Sequence, residues 1–286
     1  MVSKDDTTVF VSDVEQCSHV VKVLSVLDSR HFNVIKAHTD SIRDLSLSKE
    51  SELILSASFD KCLCVSSFRT LNPVLRFECS SRLWSCCWDN SGTYAFAASA
   101  NGLVSVFDTR STRGAIKTLP LDKSRSMPVH SLVFTDSCSL LASSLGCTKL
   151  LFSSDKWGSV SEYEFELDGK RCSSAASFED QLFLSVRGAT EQKGLLFKIK
   201  SESEVEFCSS LCGFENSTVL SKSSLGSSLL CTSDESSQRT IVLDTDSSQT
   251  IFMSESHPSH VTQSFLSRTS KLVLSLSSEL VHIYSL

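Results

Sequence analysis

An all-β fold built from repeated four-stranded sheets, a β-propeller of seven blades, is predicted by three observations. One short apolar template returns about every 43 residues, the length of one four-stranded blade. Each copy is followed by two further strand patterns, and no long segment carries helical periodicity.

The template is apolar-x-x-apolar-x-apolar. It fits Ile42, Leu45 and Leu47, then Leu83, Cys86 and Trp88, then Val129, Leu132 and Phe134. It recurs more weakly at Ser173, Ala176 and Phe178 and at Val261, Ser264 and Leu266, with a degenerate copy near Thr218. These positions open the units. Second strands are predicted at Leu53 to Ala57, Tyr94 to Ala98, Leu140 to Ser144, Leu182 to Val186, Leu229 to Thr232 and Leu272 to Leu276, short runs of β character. Third strands are predicted at Cys62 to Ser66, Leu103 to Phe107, Lys149 to Phe152, Leu195 to Ile199, Thr240 to Leu243 and Leu280 to Tyr284. Outer strands follow at places such as Val74 to Phe77 and Val160 to Leu167. Between second and third strands, Asn101-Gly102 predicts a two-residue hairpin turn, because both residues tolerate positive φ.

The leading segment, residues 1–35, supplies strands at Thr7 to Ser12, Val20 to Leu27 and Phe32 to Ile35. They form a partial leading blade, or the first of them closes the ring on the final blade. Residues 36–286 hold the other six units, and the two stretches make one domain. Trp84 and Trp88 are four apart, hence on one face of an ideal strand. The template admits only Trp88, so a twist or bulge separates the two. Trp88 is expected in the core, and Trp84 is expected either packed between neighbouring units or at their rim as part of a binding surface.

Composition narrows the function. The 286 residues are 41% apolar and 21% charged with net charge −6, and no block of basic residues offers a phosphate-binding surface. Direct nucleic-acid binding is therefore not expected. Apolar stretches stop far short of the ~20 residues a membrane helix needs, and neither a spanning segment nor a signal peptide is predicted. About one residue in five is Ser, yet Val, Leu, Ile and Phe run throughout, which excludes general disorder. None of the twelve cysteines forms Cys-x-x-Cys, so they are read as buried reduced thiols rather than zinc ligands. By the same logic the sequon Asn216-Ser217-Thr218 is an unused surface turn. His257 and His260 flank Pro258 without a neighbouring acid or thiol, and no metal or cofactor is expected. Nucleophile elbows, phosphate loops and His-Glu-x-x-His are absent, so no catalytic residue and no small-molecule substrate is assigned. The Ser- and acid-rich stretches Ser201 to Glu206 and Ser233 to Asp246 are expected as solvated connections.

The segment from Lys36-Ala37-His38 to Ser58-Phe59-Asp60 resembles the Gly-His to Asp core of a WD repeat, and Phe107-Asp108 and Leu243-Asp244 stand where that repeat carries Trp-Asp. The resemblance implies that His38, Ser58 and Asp60 join one buried hydrogen-bonded set, with Ser66 at the Trp position. A closer likeness covers Leu83 to Arg110 and the closing Val281-His282-Ile283-Tyr284. It is similar to the carboxy-terminal WD-repeat domain of the RING-finger and WD-repeat E3 ubiquitin ligase family, which acts on replication protein A at stalled forks and interstrand crosslinks. The resemblance implies a nuclear or cytoplasmic substrate-recognition module. Ubiquitin transfer in that family belongs to a RING, whose clustered Cys and His ligands are not among these residues. A non-catalytic WD-repeat scaffold with an unrelated partner is the alternative. The rim made by first-strand starts and second-to-third-strand turns is the expected partner site. Its candidates are Asp40, Arg43, Phe59, Arg82, Trp84, Asn101 and His130, and its expected partner is replication protein A or another repair factor.

Overall fold

In the computed structural model, the described residues are 1, 3, 6–15, 18–28, 30–48, 51–135, 139–153, 155, 157–188, 192–201, 204–215, 220–267 and 269–286. They form seven antiparallel sheets and no helix. Sheet I holds Thr8–Glu15, Ser18–Ser25 and Phe32–His38. Sheet II holds Ile42–Leu47, Leu53–Ser58, Cys62–Ser67 and Asn72–Glu78, and sheet III holds Leu83–Trp88, Tyr94–Ser99, Leu103–Asp108 and Ala115–Pro120. Sheet IV holds Val129–Phe134, Ser139–Ser144, Thr148–Phe152 and Ser161–Glu164. Sheet V holds Arg171–Phe178, Gln181–Arg187, Gln192–Ser201 and Glu204–Leu211. Sheet VI holds Ser224–Leu225, Leu229–Asp234, Arg239–Asp244 and Thr250–Met253, and sheet VII holds Gln263–Leu266, Leu272–Leu276 and Val281–Ser285. Every sheet is a meander in chain order, which short loops between antiparallel strands require.

The chain divides into two compact units. One comprises Met1–Phe134 and Cys138–Glu162, the other Thr135–Ser137 and Tyr163–Leu286. In the first, Phe10, Val21 and Ile35 pack with Ile54, Cys62 and Cys64, while Leu55, Leu63 and Phe77 pack with Leu83, Cys86 and Trp88. Phe96, Val104 and Val106 then meet Leu132, Leu140 and Trp157. In the second, Phe183 and Phe214 pack with Leu230 and Ile241, and Val242 packs with Leu266 and Val273. Fully burying each such side chain contributes about 1.5–3 kcal/mol. The second strands of sheets II, III and IV are buried on both faces, and Ala and Ser share them with large apolar residues. Trp88 belongs to this core, its indole Nε1 donating to Ser46 O at 3.1 Å.

Several expectations are corrected in detail. The turn at Asn101-Gly102 is a three-residue loop, Ala100 to Gly102, closed by Gly102 N donating to Ser99 O. Only Gly102 is left-handed (φ +81°), and a Cβ there would stand 3.1 Å from Met127 O. The outer strand of sheet IV is Ser161–Glu164 rather than a run to Leu167. Ser233 to Asp246 is mostly a hairpin, since Leu229–Asp234 pairs with Arg239–Asp244. Thr8–Glu15 pairs along its length with Ser18–Ser25, which makes it a strand of the leading sheet. Seven of the described cysteines are buried, whereas Cys208 and Cys212 are exposed, against the expectation of burial. The sequon Asn216-Ser217-Thr218 and the unit start at Thr218 lie outside the described residues.

Candidate functional site

The opening strand of sheet II skips one residue in its pairing between Ile42 and Asp44, and sheet III does so between Leu83 and Ser85. Sheet IV skips between Val129 and Ser131, sheet V between Cys172 and Ser174. The unpaired residues are therefore Arg43, Trp84, His130 and Ser173. A bulge kinks the strand and re-aims its extra side chain, which resolves the Trp84 and Trp88 conflict: the bulge falls on Trp84. It also moves the template in sheet V one residue back, to Cys172 from the expected Ser173.

Polar ties hold these kinks in register. The Asp44 carboxylate accepts from Ser85 Oγ at 2.5 Å and from Cys86 N at 2.9 Å. Ser85 Oγ in turn accepts from Leu132 N at 3.1 Å. Asp44 and Ser85 each follow a bulged residue, a positional match that a comparison of the copies would have exposed.

Four of the predicted partner-site residues come together. The Arg43 guanidinium lies 4.9 Å from the Trp84 ring centre and 5.3 Å from that of Phe59. Arg82 lies 5.6 Å from Phe59, and the two rings meet edge to face at 5.4 Å. Phe59 is held in its turn by its N–H donating to Ser41 O at 2.9 Å, while Arg82 O accepts from Ala100 N at the equivalent place in sheet III. Arg43 and Arg82 are exposed, Phe59 and Trp84 half-buried. Each exposed cation–π contact contributes about 0.5–1 kcal/mol, enough to bias the side chains without fixing them. Asp40 lies in the connection from sheet I to sheet II and Asn101 in a turn of sheet III, and both spend their side chains locally. Asp40 Oδ1 accepts from Ser41 N at 2.7 Å, and Asn101 Oδ1 accepts from Ser99 Oγ at 2.6 Å. His130 differs from the other candidates in burial, being 6% exposed.

Beneath the turn carrying Phe59 lies the hydrogen-bonded set. His38 Nδ1 meets Asp60 Oδ2 at 3.0 Å and His38 Nε2 meets Ser56 Oγ at 2.8 Å. The second-strand member is thus Ser56, correcting the expected Ser58. Ser58 instead donates to Asp40 O at 2.8 Å and accepts from Asp60 N. Burial pushes His38 below its ordinary pKa despite the neighbouring carboxylate, so the ring is neutral at neutral pH. A carboxylate only accepts; the ring proton is therefore assigned to Nδ1, and the Ser56 hydroxyl donates to Nε2. Burial works to raise the Asp60 carboxyl, but hydrogen bonds from Thr39 N, His38 and Cys62 N hold it below the usual range. Its charge partner is Arg76, at 3.2 Å, a residue the sequence reading did not select. Ser66, at the expected Trp position, is buried with no partner for its hydroxyl.

A second set, missed in the sequence, joins sheet VI, the connection that follows it and sheet VII. His257 Nε2 meets Ser275 Oγ at 2.6 Å, and Thr240 Oγ1 donates to that hydroxyl at 2.7 Å. The signal was available: eighteen residues separate His257 from Ser275 and likewise His38 from Ser56. Here the imidazole packs tilted against His282, ring centres 4.5 Å apart, and its buried Nδ1 has no partner among the described residues. Among the described residues no three His, Cys, Asp or Glu side chains gather as metal ligands. The open cluster sets two guanidiniums beside two aromatic rings.

Comparison with known proteins agrees with this geometry. The family model described as the WD40 domain of the E3 ubiquitin-protein ligase RFWD3 matches residues 16–285. RFWD3 of Mus musculus is 33% identical over 124 residues, covering 43% of this chain and 16% of the relative. RFWD3 of Homo sapiens is 34% identical over 116 residues, covering 40% and 15%, and that of Ailuropoda melanoleuca is 33% identical over 116. The aligned part thus spans less than a fifth of each relative's length. The seven sheets are the blades of a WD40-type β-propeller.

Proposed function

We propose, since this chain belongs to the family of the RFWD3 WD40 domain, that it is the substrate-recognition propeller of a RING-type ubiquitin ligase. The observation that carries this reading is the cluster of Arg43, Phe59, Arg82 and Trp84, raised on strand bulges and turns. Arg and Trp are the residue types that dominate binding energy at protein interfaces. In this reading the partner is replication protein A or another repair factor, the setting is nuclear DNA repair, and the propeller selects what is ubiquitinated while transfer chemistry lies outside it.

The test is capture of replication protein A by the chain and by a Trp84→Ala, Arg43→Ala double variant. Truncating a central anchor typically costs about 2 kcal/mol or more, so capture weakens at least about thirtyfold. Thermal unfolding run in parallel separates lost binding from lost fold. Unchanged affinity in the folded double variant sinks the proposed surface. Ubiquitin chains assembled by the purified chain with only activating and conjugating enzymes would sink the division of labour.

A further inference from the structure

We infer that the cluster takes an acidic peptide segment of its protein partner, Asp or Glu carboxylates lying on the two guanidiniums and one apolar side chain on the rings. The inference rests on reading this surface as the partner site, and it adds the chemistry of the occupant.

The two arginines differ from four other cations of the same unit that are paired with acids. Arg76 pairs with Asp60, Arg110 with Asp108 at 2.7 Å, Lys22 with Asp13 at 2.6 Å and Lys149 with Glu162 at 2.8 Å. Among the described residues the side chains of Arg43 and Arg82 lie against rings and pair with no acid, although acidic residues outnumber basic ones, 33 to 27. Asp44, adjacent to Arg43, accepts from Ser85 Oγ and Cys86 N, and Asp40 spends Oδ1 on Ser41 N. A guanidinium held over a ring turns its face to the ring and keeps its in-plane N–H fork free, the geometry that grips a carboxylate with two parallel bonds. The two guanidiniums therefore present donors with no acid paired to them among the described residues. Half-buried Phe59 and Trp84 beside them offer an apolar platform, so charge alone does not describe the occupant.

A nucleic acid fits less well. Strand binding draws on many phosphate contacts, whereas this cluster has two cations on a chain of net charge −6. A protein segment needs only one or two carboxylates correctly placed.

The experiment uses the full chain and three fluorescein-labelled peptides that share a Phe-Leu core and carry flanks of Asp and Glu, of Asn and Gln, or of Lys. A single-stranded oligonucleotide serves as the fourth probe. Fluorescence polarisation is expected to show the acidic peptide binding at least about tenfold more tightly than the Asn and Gln version, as charge complementarity requires. Arg43→Gln and Arg82→Gln, both on exposed side chains, each reduce that preference, and together they abolish it. Arg43→Lys restores only part of it, since an ammonium lacks the fork.

No preference among the peptides, an acidic preference unchanged in the folded double Gln variant, or tighter binding of the oligonucleotide overturns the inference. Its failure is distinguishable from failure of the proposed function. If replication protein A capture depends on Trp84 and Arg43 while the peptides are not distinguished, the surface stands and the acidic occupant falls. If the acidic peptide binds through both arginines while capture is unaffected by the Ala variants, the occupant stands and the assigned partner falls.

Discussion

The His38 set and the His257 set start from the same parts and end differently. Each has an imidazole eighteen residues before a buried serine whose hydroxyl contacts Nε2. In the first, Nδ1 meets Asp60, which also gathers Thr39 N, Cys62 N and Arg76. In the second, the residue at the matching twenty-two-residue spacing is Glu279, exposed in its turn, and His282 packs tilted against the ring. Tyr284 OH meets His282 Nδ1 at 2.9 Å, so the second set continues through rings rather than through charge. One replacement in a turn thus converts a charge-anchored set into a neutral one with an orphaned N–H.

The sharpest way to break the contrast is Asp60→Ala. Removing a carboxylate whose side chain is 4% exposed leaves its buried donors unpaired and is expected to cost about 3 kcal/mol. Glu279→Ala stays within about 0.5 kcal/mol. Denaturant midpoints check both, and equal costs would show that the anion does not anchor sheet II. Ser275→Ala comes next, at about 2 kcal/mol, because it strips His257 Nε2 and Thr240 of one shared partner. A loss under half a kcal/mol would mean the serine merely fills space.

Acid sharpens the comparison further. Burial lowers both imidazole pKa values; His282 adds to the depression at His257, while Asp60 opposes it and Arg76 adds to it at His38. The unfolded chain then binds protons the folded chain refuses. Stability is full above the ordinary histidine value, about 6.5, and falls as pH drops below it, by at most about 1.4 kcal/mol per pH unit for each ring. His257→Gln is expected to flatten part of that slope as pH falls below about 6.5. A slope identical to the parent's would place the acid sensitivity elsewhere. The Asp60 carboxyl acts in a separate window, losing its contribution only as pH falls below the usual carboxylate range. The smallest expected effect is a gain: Ser66→Ala removes a buried hydroxyl without a partner and stabilises by up to about 1 kcal/mol. A loss on heating scans would reveal a bond that hydroxyl makes in solution.

What the sequence disclosed follows from side-chain size. Where a unit opens with large apolar residues, as at Leu83, Cys86 and Trp88, the template fixes the strand and its bulge together. In Cys172-Ser173-Ser174-Ala175-Ala176-Ser177 every residue is small, two registers read alike, and the expectation slipped by one. Ser56 and Ser58 share a strand face, so identity cannot choose between them; only the position of the His38 ring does. Of the site, Arg43, Phe59, Arg82 and Trp84 were legible because the repeat stacks equivalent positions. His130 occupies the same bulge position but is buried, since the template fixes where a kink falls and not how deeply its side chain sinks.

The ties from Asp44 to Ser85 and from Ser85 to Leu132 span 41 and 47 residues, about one repeat each. A single hydroxyl therefore serves two sheets: detaching sheet III strands the Asp44 carboxylate on one side and the Leu132 amide on the other. Opening free energies for sheets II, III and IV are thereby coupled, and amide hydrogens across the three should exchange with deuterium as one cooperative block rather than peel away sheet by sheet.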